Sequence, residues 1–158
     1  MRTHLLPLPS LSERASYVGV AEAFESVDLR LPARPSELKR ARDCVAAAAA
    51  DFGFARKAAY ELVFAVNEAV TNAIKHGRPD DDGTIRLSID ADGDALVCSV
   101  QDAGPFVPPR AAQEPVTAES GRGFAFMSAL TDEFELLVKP AATIVRLRKL
   151  RPALVSDA

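Results

Sequence analysis

A carboxylate and a carboxamide four residues apart are the strongest indication of chemistry in this sequence. Glu68 and Asn72 lie in the run 61–77, whose apolar residues recur at helical spacing. Two side chains four positions apart project from the same side of a helix, one turn apart. An Asn carbonyl oxygen can bind Mg²⁺, which prefers oxygen ligands, and a Glu carboxylate can accept a proton from an attacking hydroxyl group. The same pattern also fits an amphipathic helix whose polar side faces water.

A second carboxylate, Asp102, continues the apolar face of a predicted strand. From Leu96 onward every second residue of the strand 95–101 is apolar, and Asp102 is next on that face. A buried carboxylate is costly unless a donor pairs with it, and the amino group of a ligand is one candidate donor. Gly104 follows, where the backbone can turn closely around a ligand. Alternatively, the strand ends before Asp102, which then opens a turn.

Two further features could bind an anion or line the same cavity. Gly121, Arg122 and Gly123 stand directly before Phe124 at the start of a predicted helix. Glycines at a helix start leave backbone N–H groups open, and the helix dipole favours an anion there. Thr143 is first on an alternating strand and could point its hydroxyl group inward. Taken alone, these features are more typical of an ordinary loop-to-helix junction and of a plain strand residue.

The elements that must position these residues follow from periodicity and turn chemistry. Alternation within the strands predicts one buried and one polar face, because a sheet buried on both faces would show continuous apolar runs. The fold class is therefore an α/β (α+β) two-layer sandwich, a mostly antiparallel sheet covered on one face by two or three helices. The predicted elements are a strand at 27–31, a helix capped by Ser36 and ended by Gly53, a helix at 55–76, strands at 85–89 and 95–101 joined by an Asp92-Gly93 turn, a loop at 103–120, a helix at 121–130, and strands at 133–138 and 143–149.

Composition excludes several classes of function. The chain has 158 residues, a net charge of −3 and a pI near 5.4, which argues against direct nucleic-acid binding. No apolar run approaches the roughly 20 residues needed to cross a bilayer, which argues against a membrane partner. Pro7 and Pro9 interrupt the N-terminus, so it is a poor signal peptide. Cys44 and Cys98 occupy apolar-face positions and are predicted to be buried, reduced thiols, which suits a cytoplasmic protein.

Three parts of the chain are expected. Residues 1–24 lack a clear period and form an N-terminal arm, with a partner or dimer contact and disorder as alternatives. Residues 25–150 form one domain, and residues 151–158 form a C-terminal tail.

The order and spacing of the polar residues resemble the GHKL superfamily of ATP-binding proteins. Within it, the likeness is greatest to the anti-sigma-factor serine/threonine kinases. Residues 68–76 match that group's N box, residues 100–104 its G1 box and residues 121–132 its G2 box. Residues 31–42 also resemble the group's first strand and helix, so the resemblance covers most of the chain.

The resemblance implies a role for each matching residue. Glu68 would be the catalytic base and Asn72 the Mg²⁺ ligand. Asp102 would accept a hydrogen bond from the amino group of adenine, with Thr143 assisting through water, and Gly104 would let adenine sit close. The other ATP-binding positions would be His76, Gly121, Arg122, Gly123 and Phe124, the two glycines presenting N–H groups to the phosphates.

The resemblance also implies cofactors and partners. ATP and Mg²⁺ would be required, and residues 105–120 would form the ATP lid. The substrate would be a serine or threonine of a small anti-anti-sigma (STAS-type) protein, and a sigma factor would be the other partner. A homodimer through the sheet or the first helix is favoured, and the protein would be cytoplasmic.

One residue departs from the family pattern. Phe106 occupies the second glycine position of the G1 box, where a bulky side chain would stiffen the lid or intrude on the nucleotide. The kinase hypothesis therefore competes with a non-catalytic ATP-binding module that sequesters a partner, and with an ATP hydrolase or a regulatory domain of another pathway. Autophosphorylation on histidine is disfavoured, since His4 and His76 are the only histidines.

Overall fold

A five-stranded antiparallel sheet forms one layer of the protein. The computed structural model describes residues 23–104 and 118–152, with the backbone alone at 118–121. Every neighbouring pair of strands is antiparallel, and the strand order is β1-β2-β3-β5-β4. The strands are β1 Val27–Pro32, β2 Thr84–Asp92, β3 Ala95–Asp102, β4 Glu133–Lys139 and β5 Ala142–Leu150.

Three helices cover one face of this sheet, which confirms the predicted two-layer sandwich. A 3₁₀ turn at Pro35–Glu37 leads into α1, Leu38–Phe52, which Gly53 ends in a left-handed conformation. Helix α2 runs from Arg56 to His76, and α3 is Ala118–Leu130. Helix α2 lies between the other two helices and also packs on β3 and β5. No helix in the described ranges is long and apolar enough to cross a bilayer.

The core lies between the helices and the inner face of the sheet. Inward-pointing residues alternate along each central strand, as the sequence predicts. Among the fully buried side chains are Leu31, Phe52, Leu62, Val66, Leu87, Leu96, Met127 and Leu147.

The outer face of the sheet is polar. Arg146 lies opposite Glu135 and Arg148 opposite Glu133 in the β4–β5 register, and each pair forms an ion pair. Such exposed pairs add little stability individually, but they keep this face charged.

Three local predictions were wrong in detail. Ser36 is not a helix cap, because the 3₁₀ turn begins at Pro35 and has no side-chain cap hydrogen bond. The hairpin turn is Gly93-Asp94 rather than Asp92-Gly93, since Asp92 pairs with Ala95 and Gly93 takes a φ of 60°. Cys98 is buried and free as predicted, whereas Cys44, also free, is only partly buried. It lies beside the core-facing stripe of α1 rather than on it.

Lys149 of β5 links this strand to α2 and α3. Its ammonium group donates to Glu61 Oε2 of α2 at 2.6 Å and to the carbonyl oxygen of Leu130, the last residue of α3, at 2.8 Å. Because the Lys149 side chain is only 12% exposed, this pair is screened less than a surface pair. Lys149 also lowers the pKa of Glu61, chiefly through the side-chain hydrogen bond.

We expect Lys149→Met to lower the free energy of unfolding by about 1–2 kcal/mol at pH 7, because the Leu130 carbonyl loses its side-chain donor and Glu61 keeps only the exposed Lys57, at 3.8 Å. Since the pKa of Glu61 is lowered by folding, its contribution is present above the ordinary glutamate value of about 4.3 and is lost as pH falls through the folded value. Urea denaturation over a series of pH values from 7 downward should therefore show the two proteins converging only as pH passes below the lowered pKa of Glu61. Lys139→Met is the control, and equal stability of wild type and Lys149→Met at pH 7 would contradict the assignment.

Candidate nucleotide-binding site

The carboxylate of Asp102 stands at the end of β3, opposite Thr143 of β5. It is partly buried, and its Oδ1 accepts a hydrogen bond from the backbone N–H of Gly104 at 2.9 Å. A second backbone N–H, that of Arg78, also donates to the carboxylate. Burial nevertheless raises the pKa of Asp102, since its desolvation outweighs these two donors. Asp102 is the last residue of β3, so the alternative in which the strand ends before it is wrong.

Thr143 lies beside this carboxylate and is buried. Its hydroxyl group donates to the carbonyl oxygen of Gly104 at 2.7 Å. The hydroxyl proton is thereby committed, so only the lone pairs of Oγ1 can act on a ligand or a bridging water. Thr143 thus holds the chain at Gly104 close to Asp102.

Gly77 and Arg78, which sequence reasoning did not assign to the site, close it from the end of α2. A Cβ atom at position 77 would lie 2.6 Å from Asp102 Oδ2 and 2.4 Å from the carbonyl oxygen of Ala73, so only glycine fits. The backbone of Arg78 accepts a hydrogen bond from the N–H of Ala103 at 2.7 Å. The glycine after His76 is also an ordinary helix-ending signal, which is why its second role was missed.

Gly104 is tightly packed for a reason other than the predicted one. A Cβ atom at this position would lie 2.8 Å from Cβ of Arg78. The absent side chain therefore lets the end of β3 approach the end of α2. The predicted role toward adenine stays a prediction.

Glu68 and Asn72 meet Gly123 of α3. A Cβ atom at position 123 would lie 3.2 Å from Asn72 Nδ2 and 3.5 Å from Glu68 Oε2. Both side chains are partly buried on the side of α2 that faces α3. The polar residues of the N-box segment therefore face a neighbouring glycine rather than open water alone, which favours the functional interpretation of the helix.

Helix α3 begins earlier than predicted. It starts at Ala118, so Gly121 and Gly123 lie within it rather than before it. Only the first N–H groups of a helix lack a partner in their own helix, and position 123 lies beyond them. The N–H of Gly123 could reach a phosphate only after this first turn unwinds. The sequence prediction starts the helix at Gly121 and treats the two glycines as its open first residues, because glycine is a poor helix former.

The remaining predicted residues lie around this cluster. His76 is the exposed last residue of α2, and Arg122 is exposed on α3. The ring of Phe124 packs against Phe134 of β4 at a centroid distance of 5.7 Å. Its partly buried side chain therefore packs against the core.

A broad groove of about 810 Å³ lies elsewhere, on the outer face of the sheet. Its walls include Asp90, Asp92 and the ion pairs of Arg146 and Arg148. It faces away from the helices and from Asp102 and Asn72. A nucleotide site that uses those residues lies on the opposite side of the sheet.

Comparison with known proteins assigns the chain to a family of ATP-binding domains. The model of the histidine kinase-like ATPase domain matches residues 31–149. The chain belongs to that family. The match contains every predicted site residue, from Glu68 to Thr143.

Similar sequences include serine-protein kinases. The serine-protein kinase RsbW of Bacillus pumilus is 28% identical over 137 residues, which cover 78% of this chain and 85% of that protein. RsbW of Listeria monocytogenes serotype 4a is 34% identical over 86 residues, 54% of this chain and 55% of that protein.

Two solved structures share this fold. The RsbU and RsbW domains of Rv1364c from Mycobacterium tuberculosis match with a TM-score of 0.64 and 23% identity, over 82% of this chain and 34% of that one. A chain of the SiaB–SiaC complex from Pseudomonas aeruginosa matches with a TM-score of 0.55 and 15% identity, over 87% and 95%. At these identities the likeness supports the fold alone.

The residues present fit Mg²⁺-bound ATP, the ligand that the family implies. The half-buried Asp102 offers an acceptor for a donor group of a base, and Gly123 leaves space beside the Asn72 amide that a Cβ atom would fill. Carboxamide and carboxylate oxygens are suitable ligands for a hard cation. The donor set is therefore adequate at both ends of the site.

We expect Gly123→Ala to separate stability from nucleotide binding. Alanine in a helix interior gains about 0.5–1 kcal/mol over glycine, which offsets the tight contact with the Asn72 amide. The free energy of unfolding should therefore change by less than about 1 kcal/mol, while filling the space beside Asn72 lowers ATP affinity about tenfold or more. Isothermal titration with MgATP measures the affinity, and Ser128→Ala on the same helix is the control. Unchanged affinity would show that this space is not used.

Proposed function

We propose that this protein is an ATP-dependent serine/threonine protein kinase that phosphorylates a small anti-anti-sigma (STAS-type) protein. A sigma factor is the second partner, which the kinase restrains when the antagonist is phosphorylated. The family assignment and the RsbW relatives, which are named serine-protein kinases, support this proposal. Because ATP and sigma factors are cytoplasmic, the reaction belongs in the cytoplasm.

The cluster of Glu68, Asn72 and Gly123 carries the proposal. Glu68 and Asn72 lie on α2, the helix whose end, at Gly77, contacts Asp102, and Gly123 faces them from α3. From Glu68 to Gly77 the helix advances roughly 13 Å at 1.5 Å per residue. One helix therefore presents a base-binding end and a phosphate-binding end on a single scaffold.

Each group has a defined task in this reaction. Asp102 accepts from the amino group of the base, and the oxygen of Asn72 binds the metal. Mg²⁺, when bound, neutralises charge on the phosphate oxygens. Glu68 accepts the proton of the substrate hydroxyl group as the oxygen of that hydroxyl group bonds to the γ-phosphorus. The bond from that phosphorus to the β–γ bridging oxygen breaks, and ADP leaves.

The test is transfer of label from γ-labelled ATP to the anti-anti-sigma protein of the same genome, in the presence of Mg²⁺. Mass spectrometry should locate one phosphorylated serine or threonine on that protein. Absence of label on a partner that nevertheless binds would overturn the kinase proposal.

The position of α3 favours a second candidate, a non-catalytic module that binds ATP and sequesters a partner. In this structure the N–H of Gly123 lies within the helix, so the phosphate end is not open. The departure at Phe106 lies outside the described residues. Binding of the partner without phosphoryl transfer distinguishes this candidate from the kinase.

A homodimer through the outer face of the sheet or through α1 is part of the proposal. Sedimentation of the purified protein over a range of concentrations tests it.

A further inference from the structure

Three aromatic side chains form an exposed ridge on the helical layer. Tyr60 and Phe64 of α2 and Phe126 of α3 are 68%, 37% and 48% exposed. Their rings contact one another in a row, with centroids 6.2 Å apart for Tyr60–Phe64 and 5.9 Å apart for Phe64–Phe126. Single exposed apolar residues are common, but a contiguous group of aromatic residues marks an interaction surface. We call these three residues the aromatic ridge.

The ridge is continuous with the candidate active site. Phe64 is four residues before Glu68, and Phe126 is three residues after Gly123, so each lies one helical turn from the cluster. A protein that brings a hydroxyl group to Glu68 is therefore close enough to rest on the ridge. The position favours the protein substrate as its occupant.

The charges around the ridge indicate what that partner carries. Arg56 and Lys57 lie one turn before Tyr60, and Arg122 lies one turn before Phe126; all three are exposed. The acids of α2 within one turn of the ridge, Glu61 and Glu68, are only partly exposed, and Glu61 lies closer to the inner Lys149, at 2.6 Å, than to Lys57, at 3.8 Å. We call Arg56, Lys57 and Arg122 the rim. These exposed charges are all basic, on a chain whose net charge is −3. A complementary surface is apolar at its centre and acidic at its edge.

We propose that the aromatic ridge is the docking surface for the protein substrate, whose serine or threonine receives the phosphate. This protein presents an apolar patch with an acidic edge. This inference rests on the proposed function, since it names where the substrate of that reaction binds. The ridge supplies binding energy to the substrate, and the basic rim supplies orientation and speed of association.

The first experiment changes the ridge and leaves the catalytic cluster intact. In the double variant Tyr60→Gln, Phe126→Gln, KM for the anti-anti-sigma protein should rise about tenfold or more, while kcat at saturation and ATP affinity stay near wild type. Val138→Gln, at a residue 52% exposed on β4, is the matched control. An unchanged KM in the double variant would overturn the docking proposal and leave the kinase proposal standing.

The second experiment tests the rim. Arg56→Glu, Lys57→Glu should slow association of the partner and reduce the salt dependence of its binding, whereas Lys139→Glu on β4 should not. Equal salt dependence in the rim variant and the wild type would remove the acidic rim from the proposal.

Direct binding of the partner, measured by titration calorimetry with ADP present, separates the two proposals. If wild type binds without transferring phosphate and the ridge variant loses binding, the ridge is confirmed and the kinase is not. If wild type does not bind the anti-anti-sigma protein at all, the docking proposal fails.

A photocrosslinker identifies the occupant itself. Phe64→p-benzoylphenylalanine should crosslink to the anti-anti-sigma protein. Crosslinking instead to a second copy, or to residues 1–22 of the same chain, would assign the ridge to a dimer contact or to the arm and overturn the proposal.

Discussion

Glu68→Gln is expected to lower the rate of phosphoryl transfer by about 10²–10⁴-fold, because an amide cannot accept the proton of the attacking hydroxyl group. ATP should still bind, since glutamine keeps the shape of the side chain beside Gly123 and leaves Asp102 untouched. Single-turnover transfer to the anti-anti-sigma protein measures the rate, and calorimetry with MgATP measures binding. The expected pattern is a large loss in kcat with little change in affinity.

Asn72→Ala provides a matched comparison from the next turn of α2. Removing the carboxamide should weaken binding of MgATP more than binding of ATP in EDTA, because the oxygen acts through the metal. If Glu68→Gln transfers phosphate at the rate of wild type, Glu68 is not the base. If Asn72→Ala binds MgATP normally, the metal is held elsewhere.

Asp102→Asn is expected to weaken nucleotide binding by about 10- to 100-fold. The substitution replaces a charged acceptor by an amide. If the amide NH₂ faces the amino group of the base, two hydrogen-bond donors oppose each other. Only one oxygen then remains for the backbone N–H groups of Gly104 and Arg78. Fluorescence titration with a labelled adenine nucleotide measures the loss.

The raised pKa of Asp102 makes nucleotide binding sensitive to acid. Because the carboxylate is the form that accepts from the base, affinity should fall as pH drops through this raised value, earlier than for an exposed aspartate with a pKa of about 3.9. For stability the sign is opposite. A raised folded pKa contributes stability below the ordinary value and loses it as pH rises, so Asp102 costs stability at pH 7.

Stability is therefore the control for Asp102→Asn. The variant should unfold within about 1 kcal/mol of wild type at pH 7, since loss of a buried charge offsets a weakened hydrogen bond. Nucleotide affinity equal to that of wild type would show that the base lies elsewhere, whereas an unfolded variant would identify Asp102 as structural.

The parts of the fold that were predictable are those with a strong local period. Alternation from Leu96 to Val100 placed Asp102 on the inner face, and the α2 stripe placed Glu68 and Asn72 together, because side-chain direction follows directly from strand and helix geometry. Thr143 was also placed correctly, as the first inward residue of its strand.

What could not be predicted depends on contacts between distant segments. The hydrogen bond from the Ala103 N–H to the Arg78 carbonyl forms only when the end of α2 meets the end of β3. Nothing in the sequence around Arg78 indicates it. The start of α3 was misplaced because propensity disfavours glycine in a helix, while packing of Gly123 against Asn72 and Glu68 favours it there. Tertiary contact outweighs local preference in both cases.

The two ends of the proposed site differ in how firmly they are built. The end at Asp102 is fixed by three hydrogen bonds: Ala103 N–H to the Arg78 carbonyl, Gly104 N–H to Asp102 Oδ1, and the Thr143 hydroxyl group to the Gly104 carbonyl. The end at Gly123 depends on how one short helix sits against its neighbour. ATP and ADP share the same base and differ only in phosphates, so the rigid end would recognise both equally. Among the described residues, a difference between them would then be detected at the end of the site where α3 packs on α2.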